Sequence, residues 1–284
     1  MSRIEKALEK AAQIRNDTTA ATEQLTMNSA YSSQAVSRVL DIKPGNSLLT
    51  TISEPHSPVS EQYRKLKTNL VKQTKKDEFH NILMVTSTLP REGKSLTALN
   101  LAISLAQDFD HTVLLIDADL RSPSIHRYLE FEPTIGLSDC LKNGTDIGEA
   151  IIRTGIGKLS VIPAGKAMPN PLELISSRKM QDLIREMKHR YRDRYVIFDT
   201  PPLLPFAESR SLGHMMDGIV FVIKEGEASQ ENIREALDSV KGCRILGVVF
   251  NESSVCAEDN IYGDYSYYMN YDKNKAAASP QSVL

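Results

Sequence analysis

Lys94 and Ser95 follow Gly93 just after a short apolar run, Ile82 to Val85, and a stretch rich in leucine and alanine begins directly beyond them. That is the order strand, turn, helix. A turn so placed offers backbone N–H groups and the positive end of a helix to a polyphosphate. The Lys94 ammonium would neutralise terminal phosphates, and the Ser95 hydroxyl would hold Mg²⁺. Arg91, Glu92, Gly93 and Leu96 complete the expected cradle for a nucleotide's phosphates. The pattern departs from the usual one twice: Thr88 stands five residues before Gly93 where a glycine is usual, and Arg91 stands where a glycine would be more comfortable.

Carboxylates arrive at two further points. Val113–Ile116 ends in Asp117-Ala118-Asp119-Leu120-Arg121, and Tyr195–Phe198 ends in Asp199-Thr200-Pro201-Pro202. An acid at the end of a buried strand reaches a metal from a rigid base. Mg²⁺ prefers hard oxygen ligands and keeps waters, so one or two carboxylates suffice. Ser95 and Asp199 are expected to position the ion, with Asp119 beside them. Asp117 is the candidate for orienting the attacking hydroxyl or accepting its proton. Lys94, Asp117, Asp119 and Asp199 therefore form the candidate catalytic set. Asn251 ends the last apolar run, where its amide either reads an adenine edge or simply terminates the strand.

These groups need a scaffold that delivers them to one edge. Strands are predicted at 81–87, 112–117, 159–163, 195–199, 218–223 and 245–250, with helices at 95–108, 176–192 and 229–241. Most of the strands are continuous apolar runs without polar alternation, as expected when helices cover both sheet faces. The fold class is therefore α/β, a doubly wound and mostly parallel sheet whose ligands sit at the carboxyl ends of the strands. A further helix begins near Ser60 and carries Tyr63, Leu66 and Leu70 inward. Residues 55–258 are read as the nucleotide-binding domain.

With 284 residues, 41% hydrophobic and 25% charged, the chain has an ordinary globular composition. A net charge of −2 without a strongly basic region argues against nucleic acid as a partner. Cys140, Cys243 and Cys256 are scattered and odd in number, as in a reduced cytosolic protein. No run of about eighteen apolar residues exists and no signal-peptide core opens the chain. Work at a membrane would need another polypeptide. Residues 2–15 read as an amphipathic helix, exposed or docked to a partner, and 16–54 as a flexible linker.

Five of the ten tyrosines, Tyr262, Tyr265, Tyr267, Tyr268 and Tyr271, fall in the tail 259–284. Their alternation suits an edge strand or sticky peptide. The same segment also suits phosphorylation, which adds about −1.5 to −2 charges per tyrosine.

The set Ser87-Thr-Leu-Pro-Arg-Glu-Gly-Lys-Ser95, Asp117-Ala-Asp-Leu-Arg121, Phe198-Asp-Thr-Pro-Pro202, Gly247-Val-Val-Phe-Asn251 and the tyrosine cluster resembles the bacterial tyrosine kinases of polysaccharide export loci. Pro169-Asn-Pro171, Leu174 and Ser176-Ser177 match as well, and Ile4-Glu-Lys-Ala-Leu-Glu-Lys10 looks like the exosortase-associated subgroup. The resemblance implies an autokinase that uses ATP and Mg²⁺ to phosphorylate the tail tyrosines of neighbouring subunits. It implies a homo-oligomeric ring through a helix in which Glu61, Arg64 and Lys67 resemble the family's Glu-x-x-Arg-x-x-Arg. It also implies a cytoplasmic protein recruited to the membrane by a membrane-spanning polysaccharide co-polymerase that activates it. Lys67 in place of arginine keeps the charge but loses the two-pronged carboxylate grip.

Two other readings share these motifs. ATPases that position division sites and plasmids carry a signature lysine early in the phosphate loop, where this chain has Leu89. A nucleotide-binding scaffold without catalysis is the third, supported by Arg91 alone.

Overall fold

The computed structural model describes residues 38–254, apart from positions 41, 43, 44, 77, 78, 191 and 192. The predicted helix at 2–15 and the tyrosine tail from 259 onward lie outside the described residues. Eight strands form one sheet: β1 (Arg38–Val39), β2 (Ile82–Ser87), β3 (Thr112–Asp117), β4 (Ile152–Arg153), β5 (Leu159–Ile162), β6 (Arg194–Asp199), β7 (Gly218–Lys224) and β8 (Ile245–Asn251). Their spatial order is β1-β4-β5-β3-β6-β2-β7-β8, and only β4–β5 is antiparallel. The mostly parallel α/β sheet expected from the apolar runs is what the chain forms.

Side-chain alternation along the strands divides the interior into two cores, one on each face. Ile82, Met84, Leu114, Ile116, Val196 and Phe198 enter one cluster, while Leu83, Val85, Val113, Leu115, Tyr195 and Ile197 enter the other. Both faces are covered by helices, which is why β2 is buried at all six positions. The helices are α1 (Thr50–Ser53), α2 (Pro58–Thr74), α3 (Lys94–Ala106), α4 (Ile125–Tyr128), α5 (Leu137–Asn143), α6 (Ile147–Ala150), α7 (Leu172–Ile175), α8 (Arg178–Arg190), α9 (Ala207–Gly213) and α10 (Gln230–Ser239).

Helix α3 links β2 to β3 and positions the phosphate loop. It is buried at eleven of its thirteen residues. Its outer side is covered by α1 and α2. Helix α2 starts where Ser57 caps it, its hydroxyl accepting from the Ser60 N–H at 3.2 Å, with Pro58 opening the first turn. Leu70 is buried as expected, and Leu66 packs against the same core.

The linker expected over 16–54 is structured from Arg38 onward. Leu49 is fully buried, and the Thr51 N–H and hydroxyl both donate to Asn100 Oδ1, at 3.2 and 2.9 Å. The Asn100 amide in turn donates to the Leu48 carbonyl at 3.1 Å. A polar stretch is held here by hydrogen bonds to α3 and by Leu49, with Ile42 and Ile52 packed against the same core, a spacing too irregular to mark a packed element in sequence.

Candidate active site

The loop between β2 and α3 is shaped by backbone that only glycine adopts readily. Gly93 caps α3 at φ 89°, and a Cβ there would lie 2.2 Å from Asn251 Nδ2. Torsion and space both demand glycine. Arg91 also sits at φ 67°, so an arginine occupies the left-handed position where the sequence led one to expect glycine. Such a conformation costs a residue with a Cβ about 1–3 kcal/mol, and it gathers at functional sites.

Glu92 is fully buried and braces this loop. Its carboxylate accepts from the Leu89 N–H at 2.6 Å and the Lys224 N–H at 3.3 Å. Burial raises its pKa, and those N–H groups pull the other way. The Asn251 amide donates to the Glu92 carbonyl at 3.0 Å. Of the expected cradle, Arg91, Gly93, Lys94 and Ser95 line the cleft. The side chains of Glu92 and Asn251 support the loop from behind, and Leu96 packs against the core. Asn251 thus does more than end the strand, since one of its amide N–H groups is engaged with the loop itself.

Asp117 and Asp199 end adjacent strands and are register partners. Lys94 Nζ lies 2.9 Å from Asp119 Oδ2 and 3.3 Å from Ser95 Oγ. Burial opposes the lysine's charge, but the carboxylates of Asp199, Asp119 and Asp117 outweigh it and raise its pKa. Burial raises Asp199 to about 6, against the pull of Lys94 and the nearby Ser95 hydroxyl. Burial and the Asp199 charge push Asp117 up to about 8.

Asp117 is fully buried, and its oxygens accept from the backbone N–H groups of Asp119, Ser124 and Ile125 at 3.2, 2.9 and 3.1 Å. The turn before α4 holds its oxygens; Asp119 is the carboxylate that lines the cleft, and neither Asp117 nor Asp199 is among the lining residues, although both act on Lys94. The cleft, of about 340 Å³, also receives Ser122, Arg127, Tyr128 and Phe206, which the motifs did not reveal. Arg121 lies over the Phe206 ring at 4.7 Å and pairs with buried Glu208.

The donor set fits Mg²⁺. Both Asp199 oxygens are buried without a partner in hydrogen-bond geometry, and the Ser95 hydroxyl stands beside them. Among the described residues no group of three or more His, Cys, Asp or Glu could form an all-protein metal cage. Mg²⁺ needs none, since it binds through one or two carboxylates plus phosphates and water.

Away from the cleft, Glu61 and Arg64 pair along α2 at 2.7 Å, and Lys67 reaches Asp108 at 2.8 Å. Cys140 and Cys243 are free thiols. The five tail tyrosines lie outside the described residues.

An AAA domain family model matches residues 91–244. The chain is 38% identical over 219 residues to the tyrosine-protein kinase YwqD of Bacillus subtilis, covering 76% of this chain and 89% of YwqD. Among solved structures it is similar to the chimerical protein CapA2B2, with 30% identity and a TM-score of 0.67 over 78% of this chain and 96% of that one. The kinase domain of the Escherichia coli tyrosine kinase ETK matches at 28% identity and a TM-score of 0.66, covering 72% and 82%. Together with a cleft lined by Gly93, Lys94, Ser95 and Asp119, these likenesses show that the chain is a protein-tyrosine kinase and belongs to the bacterial tyrosine kinase family.

Proposed function

We infer that this kinase transfers the γ-phosphoryl group of ATP to tail tyrosines of neighbouring subunits, among Tyr262, Tyr265, Tyr267, Tyr268 and Tyr271. The observation that carries this reading is Lys94, charged at the mouth of the loop and 2.9 Å from Asp119. Phosphoryl transfer leaves the protein little covalent work, so positioning and charge neutralisation dominate. Lys94 turns from Asp119 to the phosphates when nucleotide enters. Asp119 is then left facing the cleft, where it orients the tyrosine hydroxyl. Asp117 acts one step back, fixing the turn that brings Ser122 and Ser124 to the cleft.

Ser95 and Asp199 would hold Mg²⁺, with Asp119 beside them; the ion supplies charge neutralisation on the phosphates when bound. Arg91 adds a second cation at the rim.

The reading extends to control of exopolysaccharide polymerisation and export, with a membrane-spanning co-polymerase as recruiter and activator. Among the described residues no helix is long and apolar enough to cross a membrane. A homo-oligomeric ring through α2 completes it.

The test is incubation of purified protein with labelled ATP and Mg²⁺, followed by phosphosite mapping. Label on Tyr262–Tyr271 that disappears in Lys94→Met supports the reading. Free phosphate without labelled protein would overturn it in favour of a positioning-type ATPase, and tight ATP binding with neither product would leave a scaffold.

A further inference from the structure

Strand β8 is the last strand of the sheet, and its outer edge is open among the described residues. In a parallel ladder alternate residues turn both backbone groups toward the same neighbour. The Asn251 carbonyl accepts from the Glu225 N–H on the β7 side. Gly247 and Val249 therefore face β7 as well, while Val248 and Phe250 direct N–H and C=O away from it. Only the start of the edge is covered, where the Gln73 side chain donates to the Leu246 carbonyl at 2.9 Å.

The side chains add a second signal. Val248 is 54% and Phe250 53% exposed, on one side of the strand, whereas Val249 packs against the core on the other. Natural sheets blunt such edges with charge, proline or a bulge; β8 has one register shift, at its start between the Ile219–Ile245 and Val220–Gly247 pairs, and runs regularly beyond it. Residues 247–251, Gly-Val-Val-Phe-Asn, carry neither charge nor proline. An unpaired apolar edge is a template for another strand.

We propose that the chain's own tail, residues 265–271, docks as an added antiparallel strand on the outer edge of β8. Tyr265, Tyr267, Met269 and Tyr271 recur with a period of two, which places all four on one face of an extended segment. That face covers Val248 and Phe250. Eleven positions separate Ser254 from Tyr265. Extended, they reach about 36 Å, more than the roughly 23 Å length of a seven-residue strand. An antiparallel return also brings Asp272 toward Arg244 at the start of β8. So short a tether gives an effective concentration on the order of millimolar, which favours the tail in cis over a second copy. Docking of this kind uses the recognition mode in which an extended peptide completes a sheet. It does not depend on the catalytic reading.

The test is amide hydrogen exchange at Val248 and Phe250 in the full chain, treated with phosphatase so that the tail carries no phosphate. The comparison is Tyr267→Pro with Tyr268→Pro. These positions are adjacent, so one of the two lost N–H groups must have faced β8. Exchange at Val248 and Phe250 is expected to be about tenfold slower in the wild type than in the double variant, at every protein concentration. Phe250→Lys, which alters the docking face alone, is expected to raise proteolysis within 265–271. Equal exchange rates in wild type and proline variant would overturn the proposal. So would protection that grows with protein concentration, which would assign the edge to a second copy.

Discussion

Asp117 and Asp199, the last residues of β3 and β6, stand side by side in register and are both fully buried. Burial pushes both pKa values up, and a neighbouring carboxylate adds to each rise, Asp199 acting on Asp117 and Asp119 on Asp199. Lys94 is the cation on which both depend. The site therefore stores unfavourable electrostatics that nucleotide and metal would relieve.

Asp199→Asn should make this visible. Removing one of the paired acids is expected to stabilise the apo protein by about 1 kcal/mol while lowering kinase activity on the order of 100-fold. Thermal unfolding and a phosphorylation assay on the same preparation check it. An unchanged or lower melting temperature would remove the repulsion argument.

Arg91→Gly separates backbone from charge. Relief of the φ 67° conformation should raise stability by about 0.5–1 kcal/mol after the added freedom of the unfolded chain is counted. Loss of the rim cation should raise the KM for ATP with a smaller effect on kcat. Arg91→Lys, which keeps the charge and the strain, should leave stability unchanged.

Gly93→Ala meets both an unfavourable torsion and Asn251 Nδ2 at 2.2 Å. A loss of about 2–3 kcal/mol is expected, together with loss of nucleotide binding. Asn251→Ala added to it should restore part of the stability, because the clash goes but the torsion stays. A double-mutant cycle by denaturant titration measures that coupling. Strict additivity would mean that Asn251 yields freely.

His111 sets a pH dependence. It is 5% exposed, neither ring nitrogen has a hydrogen-bond partner, and its ring lies 5.3 Å from that of Tyr195. Burial, and then Lys75, lower its pKa, against Asp108 and Asp110. A histidine depressed in the folded state binds its proton more readily when unfolded. Its contribution is thus fully present above the unfolded value near 6.5 and is lost as pH falls through and below that value. His111→Leu should flatten the decline in unfolding free energy between about pH 7.5 and 5.5. Identical slopes in the two proteins would show that His111 does not titrate there.

On α2, Glu61→Ala with Arg64→Ala is expected to lower both assembly mass and autophosphorylation. These half-buried residues pair with each other at 2.7 Å within one subunit, and Arg64 also donates to the Pro55 carbonyl; loss of one such helical i,i+3 pair costs about 1 kcal/mol at most. The double variant should therefore stay folded. Unchanged mass by light scattering would end the case for this helix as an oligomer contact.

Much of this was legible in sequence because chemistry and scaffold share the same short segments. Buried parallel strands are written as apolar runs, so β2, β3, β5, β6, β7 and β8 lie within about one residue of their predicted spans. Asp117 and Asp199 end two of those strands, Asp119 follows within two residues, and Lys94 and Ser95 follow β2 after one loop. What stayed hidden was tertiary. Nothing local shows that the Glu92 carboxylate turns inward to Lys224, 132 positions away, or that Asn251 reaches back 159 positions to its carbonyl. Residues 45–54 read as linker because hydrogen bonds to Asn100 and only two apolar anchors, Leu49 and Ile52, hold them. Tyr128, at the end of α4, and Phe206, just before α9, reach the cleft from segments that only the fold brings together.

The footing of the phosphate loop bears on how this chain can be shortened. Asn251 is the final residue of β8, yet it props a turn that lies far upstream in sequence. A truncation that trims the C-terminus to just before Asn251 would remove the loop's support along with the tail. An inactive fragment of that kind would say nothing about whether the tyrosines are needed.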